Sequence, residues 1–230
     1  VSTTLDIPDA HAPFEHQDML AFLREVKRKH RPDYTVCLGD EGDGHGLGNY
    51  DHDPDGHSAG DEYLLMIEHL KPLYEMFPNV QCCHSNHTSR PFRRAAKYGI
   101  PSVYLREYRD FMQAPKGWSW HASVEIDGVR HLHGEGYSGP LGALKCAQAH
   151  MQPVVIGHLH SYAGVLFNAN PRHLFWGMNA GCLIDRDAYA FAYGKHMAAK
   201  PILGCGLVRN RVPTFLPMNL NRNGRWTGDL

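Results

Sequence analysis

Residues 154-VVIGHLH-160 decide how the chain folds: three β-branched residues, a glycine, then two histidines one leucine apart. Extended backbone turns alternate side chains to the same side, so His158 and His160 can point at one spot while Leu159 points away. The strand therefore ends in a pair of imidazoles that face a common point. Upstream the pattern recurs. The apolar run 3-TTLDI-7 ends in 8-PDAH-11, 34-YTVCL-38 in 39-GDEGD-43, 79-NVQCC-83 in 84-HSNHTSR-90, and 129-VRHLH-133 runs into 131-HLHGEG-136. In an open α/β sheet the side chains at the carboxyl ends of strands converge on one rim, where ligands bind.

Between these runs lie helical stripes. Met19, Leu20, Phe22, Leu23 and Val26 share one face, and Leu64, Ile67, Leu70, Tyr74 and Phe77 repeat the spacing, with Pro72 expected to kink or restart the second helix. Residues 89–98 and 139–150 read as shorter helices. Strand followed by helix in the first hundred residues predicts βαβ units and a parallel sheet. After residue 120 the reading shifts to hairpins: 121-HASVEI-126 and 129-VRHLH-133 flank the turn pair Asp127-Gly128, and 163-AGVLF-167 and 205-CGLVRNRVPTFLPM-218 are further strand candidates. The expectation is a mixed α/β sandwich forming one domain over residues 1–230, with a long acidic, His- and Gly-rich loop at 41–62.

Composition bounds the function. The chain has 230 residues, 43% hydrophobic and 20% charged, and 23 Lys+Arg against 24 Asp+Glu leave no global field to steer it to nucleic acid or anionic lipid. Any preference for polyanions must be local. Six cysteines in or beside apolar stretches, without a C-x-x-C pair, favour reduced thiols in a cytoplasm-like compartment. No signal peptide or membrane span is visible, and a removed leader stays open.

Histidine nitrogens, carboxylates and an amide oxygen gathered at one rim, without sulfur, suit divalent ions such as Zn, Mn or Fe. There are too many donors for one tetrahedral site. Two ions sharing a carboxylate would use them, and a two-metal clamp serves displacement at phosphorus.

The motifs Asp9-Ala10-His11, Gly39-Asp40-Glu41-Gly42-Asp43, Ser85-Asn86-His87-Thr88, His133-Gly134 and Gly157-His158-Leu159-His160, in this order, resemble those of the calcineurin-like metallophosphoesterase superfamily, in particular its shorter bacterial and bacteriophage-type members. The resemblance implies a four-layer αββα double β-sandwich of mixed sheets flanked by helices. It implies that Asp9, His11 and His160 hold one metal, that Asn86, His133 and His158 hold the other, and that Asp40 bridges them. The ions, Mn, Zn, Fe or Ni, would activate a water. His87 would steady the transition state or protonate the leaving oxygen, and Asp43 would orient a neighbouring ligand. The implied activity is hydrolysis of phosphate esters, leaning to a phosphodiesterase, nuclease or nucleotide hydrolase; the alternatives are a phosphomonoesterase, including a protein phosphatase, or a catalytically weak metal-bound scaffold.

Two positions depart from the family pattern: Ser85 stands where Gly is usual and Thr88 where an acid is usual, which puts the polarisation of His87 in question. His131 shares a strand face with His133, and the glycine after His133 favours the latter. A second motif, 51-DHDPDGHSAGDE-62, fits the calcium-loop pattern, but the glycine-rich residues before it cannot form the entering helix, so calcium is not expected there. The basic stretch 90-RPFRRAAKYG-99 brings Arg90 within reach of substrate, and Arg93, Arg94 and Lys97 could follow a nucleic-acid backbone, with Phe92, Tyr98, Tyr104 or Tyr108 available for stacking.

Overall fold

The strands β1 (Thr3–Ile7), β2 (Tyr34–Cys37), β3 (Asn79–Cys83) and β4 (Gly117–His121) run parallel, and the hairpin β10 (Gly204–Arg209) and β11 (Val212–Pro217) joins β1 from the other side, antiparallel. The order is β11-β10-β1-β2-β3-β4. A second sheet, in the order β5-β6-β7-β9-β8, combines β5 (Val124–Ile126), β6 (Val129–Leu132), β7 (Val154–Ile156), β8 (Gly164–Ala169) and β9 (Leu174–Asn179); β6, β7 and β9 are parallel. This computed structural model describes residues 2–48, 56–188 and 199–230.

Alternation along the strands produces the layers. Leu5, Ile7, Cys37 and Cys82 face α1 (Met19–His30) and α2 (Ala59–Met76), whereas Val36, Leu38 and Cys83 face Val155, Trp176 and Met178 of the second sheet. Neighbouring Cys82 and Cys83 thus enter different cores, as strand geometry requires. On the outer side of the second sheet, α5 (Gly142–His150), which follows α3 (Arg90–Lys97) and α4 (Tyr108–Phe111) in the chain, packs Ala143, Cys146 and Ala147 on Val154, Ile156 and Phe175. The result is the αββα sandwich of two mixed sheets expected from the sequence.

Helix α1 buries Met19, Phe22, Leu23 and Val26 and ends where Arg31 turns left-handed at φ 47°. Helix α2 starts at Ser58, whose hydroxyl accepts from the Asp61 amide. Two expectations for α2 fail. It does not restart at Pro72 but continues as one helix to Met76, and Leu64 is exposed, the buried face being Glu62, Met66, Ile67, Leu70, Leu73 and Tyr74. Pro72 and Glu68, whose carbonyl loses the bond, are both on the solvent side, where water can replace the missing donor.

The run 121–126 is not one strand. His121 closes β4 in the first sheet and Val124 opens β5 in the second, so the chain changes sheets within it. The Asp127-Gly128 turn stands as expected, with both φ angles positive, at 50° and 72°. Strand β9 escaped the sequence reading because Gly177 interrupts it. A Cβ there would lie 2.1 Å from the Ala143 carbonyl oxygen, so the close approach of α5 requires the glycine.

Candidate metal centre

The carboxyl ends of β1, β2, β3, β6 and β7 open on one rim shared by both sheets. Asp9, His11 and His160 bring ligand atoms within 4.8 Å of one another, and so do Asp40, His133 and His158. Asn86 joins the second group, its Oδ1 2.7 Å from His133 Nε2. Asp40 stands between the two. Its Oδ2 is 3.2 Å from His133 Nε2 and 3.7 Å from His11 Nε2. The structure therefore brings all seven residues together, and it adds a third triplet, His11, Asp40 and His87.

The local geometry is set by backbone as much as by side chains. His11, Asp40 and His158 all have positive φ, at 54°, 49° and 66°, a conformation that non-glycine residues seldom adopt and that clusters at functional sites. Gly157 leaves room for the carboxylate: a Cβ there would stand 2.2 Å from Asp9 Oδ1 and force that ligand to shift. The amide of His158 donates to Asp9 Oδ2 at 2.7 Å, and Asn179, at the end of β9, donates to the Leu159 carbonyl, fixing the loop that carries both histidines.

The donor set fits divalent ions. Asp9 Oδ1 is buried with no hydrogen-bond partner among the described residues, an arrangement that costs free energy unless something else meets it. His160 Nε2 lies 2.9 Å from Asp9 Oδ2 and 3.2 Å from His11 Nε2, so three donor atoms crowd one point. On the far sides, His133 Nδ1 donates to the Leu38 carbonyl and His11 Nδ1 to Asp43, which leaves both Nε2 atoms facing inward.

Electrostatics follow from this crowding. Burial works against charge on His133, but the Asp40 carboxylate outweighs it and raises the imidazole to about 9. Burial likewise disfavours ionised Asp40, yet His133, His87 and His11 hold it well below the usual carboxylate range. His11 and His158 are lowered, first by burial, then by a neighbouring histidine, His87 and His133 respectively. His87 is raised, because Asp40 and Asp43 overcome its burial.

Asp43 Oδ1 touches two imidazoles, His11 Nδ1 at 2.7 Å and His87 Nδ1 at 2.6 Å. The acid missing at Thr88 is thus supplied from Asp43, and His87 is left with Nε2 accepting from Arg90 Nη2 at 3.1 Å. Both departures from the family pattern have structural roles. Ser85 Oγ accepts from the Asp40 amide, and Thr88 Oγ1 donates to Glu41. Glu41 itself went unnoticed in the sequence. It is fully buried, its carboxyl raised by that burial, and it accepts from Trp120 Nε1 at 2.7 Å. No local motif announces a partner 79 residues away.

Elsewhere, Phe92 and Tyr108 stack on each other at 4.4 Å and 13°, so neither is free for a base, whereas Tyr98 and Tyr104 are exposed. Glu62 accepts from the His45 and Gly46 amides; the calcium-loop residues 51–55 lie outside the described residues. His131 turns away from the rim and pairs with Asp6 between the sheets.

Double mixed sheets between helices, with five motif loops on a single rim, form the architecture that the likeness to calcineurin-like metallophosphoesterases implies. No family model and no curated protein matches the chain. Among solved structures it is similar to YfcE, a phosphoesterase from E. coli, at 14% identity and a TM-score of 0.46, covering 98% of this chain and 96% of that one. It is also similar to Vacuolar Protein Sorting 29 from Cryptosporidium parvum (14% identity, TM-score 0.43, 93% and 94% covered) and to Vps29 from Chaetomium thermophilum (12%, 0.43, 99% and 93%).

Proposed function

We propose that this chain is a metal-dependent hydrolase of phosphate esters, organised as one domain around a dinuclear centre. The observation that carries the reading is the Asp40 carboxylate placed between Asp9, His11 and His160 on one side and Asn86, His133 and His158 on the other. Divalent ions at these donors would polarise phosphoryl oxygens and supply a water of lowered pKa.

The chain's own residues do the rest. Asp43 fixes the tautomer of both His11 and His87, with Nδ1 protonated and Nε2 directed inward. Arg90 reaches His87 Nε2 and the Asp43 carbonyl and lines the cavity beside them, so its guanidinium can grip a phosphate oxygen of the substrate. As water attacks phosphorus and the ester P–O bond breaks, with Arg90 turned from His87 Nε2 to the phosphate, the leaving oxygen takes the Nε2 proton of the charged imidazole, the form that Asp40 and Asp43 favour.

A phosphodiester is favoured over a monoester because the surrounding cavity is lined by cations beyond those that one phosphate needs. Six free, buried cysteines suit a reducing, cytoplasm-like compartment, and no described helix is long and apolar enough to cross a membrane. Assays with bis(p-nitrophenyl) phosphate and p-nitrophenyl phosphate in the presence of manganese test the reading. Diester turnover is expected; monoester turnover alone would make the protein a phosphatase, and neither would leave a metal-bound scaffold.

A further inference from the structure

Helix α3 (Arg90–Lys97) carries Arg90, Arg93, Arg94 and Lys97 at spacings of three and four, one helical face. All four line a cavity of about 510 Å³ that also reaches Asn86, His87 and His158 of the candidate centre. The cationic face is about 10 Å long at 1.5 Å per residue, longer than one phosphate requires. It begins at the reacting position and leads away from it.

The cations are not equivalent. Arg94 is tied to the carbonyls of Leu47 and Gly48, and Arg93 donates to the Asn86 carbonyl while standing 3.7 Å from Glu135. Lys97, at the outer end, is exposed and has no ion-pair partner among the described residues. Glu135 is the acid of the cavity wall. Beyond Lys97, Tyr98 is 70% exposed, and Tyr104, in the turn Ser102–Tyr104 that packs beside α3, is 77% exposed. Exposed aromatic faces beside a basic groove are what unpaired bases stack on.

We propose that this face of α3 is a phosphate track for single-stranded nucleic acid: the scissile diester lies at the Asp40 cluster, the neighbouring phosphates lie against Arg93 and Lys97, and bases stack on Tyr98 and Tyr104. The inference rests on the hydrolase reading. It makes the substrate a chain of phosphates instead of a lone nucleotide, and it makes Lys97 and Glu135 opposing determinants of its affinity.

The test uses the manganese-loaded full chain and compares hydrolysis of bis(p-nitrophenyl) phosphate, a thymidine dinucleotide and an octathymidylate. The octamer is expected to be cut about tenfold more efficiently than the dinucleotide, with a salt dependence of about 0.7 per phosphate contact in log–log form. Lys97→Glu should lower octamer cleavage about tenfold relative to its own rate on the small diester, Lys97→Arg should restore the ratio, and Glu135→Gln should raise it. Equal cleavage of octamer and dinucleotide, preference for a duplex, or a ratio unmoved by Lys97→Glu would overturn the track while leaving the hydrolase intact. No hydrolysis of any of the three would sink the hydrolase reading itself, and the track with it.

Discussion

Two Asp–His pairs come from the same two stretches of chain. Asp6 and His131 sit inside β1 and β6, are fully buried between the sheets, and meet at 2.7 Å. Asp9 and His133 lie a few residues further on, past the strand ends, with Oδ1 and Nδ1 3.9 Å apart. Among the described residues the first pair is sealed, with only each other as polar side-chain partners, and His131 Nε2 and Asp6 Oδ2 are left without hydrogen bonds. The second pair is joined by donors from three other strand ends. Residue type is the same in both. What separates a structural pair from a candidate centre is convergence: a strand end lets side chains from several parallel strands meet at one point, and a strand interior admits only the neighbour across the sandwich.

The largest effect should come from removing the shared carboxylate. Asp40→Ala is expected to lose metal content and diester turnover together, by more than about a hundredfold, since even changes one shell out cost 10–100-fold; metal analysis beside the bis(p-nitrophenyl) phosphate assay reads both. Next, His87→Ala should lower turnover roughly a hundredfold with metal still bound. If both variants behave alike, the division of labour at the rim is wrong.

Asp43→Asn should cost about tenfold in turnover, because it frees both His11 and His87. It should also shift the pH profile. Asp43 helps raise His87, so without it the imidazole loses its proton at lower pH, and the alkaline limb of activity should move down. An unmoved limb would take His87 out of the proton-donor role.

The interior pair should respond the other way. His131→Leu leaves the Asp6 carboxyl buried and unpartnered and is expected to cost about 2–3 kcal/mol in denaturant unfolding, while metal content per folded molecule stays unchanged. Loss of metal from that variant would erase the distinction between the two pairs.

The smallest effect belongs to the C-terminal segment, where Arg225 holds the Asp18 carboxyl down to about 2. A carboxylate with a depressed folded pKa stabilises above its ordinary value of 3.8 and loses that contribution as pH falls through the folded value. The melting temperature of Asp18→Asn should therefore lie below that of the parent by a few degrees at most near neutral pH, with the gap closing between about pH 4 and pH 2.

The rim was legible in the sequence because each motif follows an apolar run, and order along the chain survives folding. Strands β4 and β9 were harder to read. β4, Gly117–His121, is read as strand only in its last residue, and β9 is broken by a glycine whose reason is a helix packed against it. Pro72 misled because its consequence depends on which side of α2 faces water. At the centre, the seven donors could be picked by the resemblance of their motifs to those of the calcineurin-like superfamily, but the clamp of Asp43 on two histidines and the Thr88–Glu41–Trp120 chain of hydrogen bonds depend on three-dimensional neighbours. Left-handed backbone at His11, Asp40 and His158 has no residue signature either, since none of the three is glycine.

Anomalous diffraction from crystals grown with manganese tests the central claim most directly. Two peaks a few ångströms apart are expected, one against Asp9, His11 and His160, the other against Asn86, His133 and His158, with Asp40 touching both. A rim without anomalous signal, or a peak beside Asp6 and His131 instead, would contradict it.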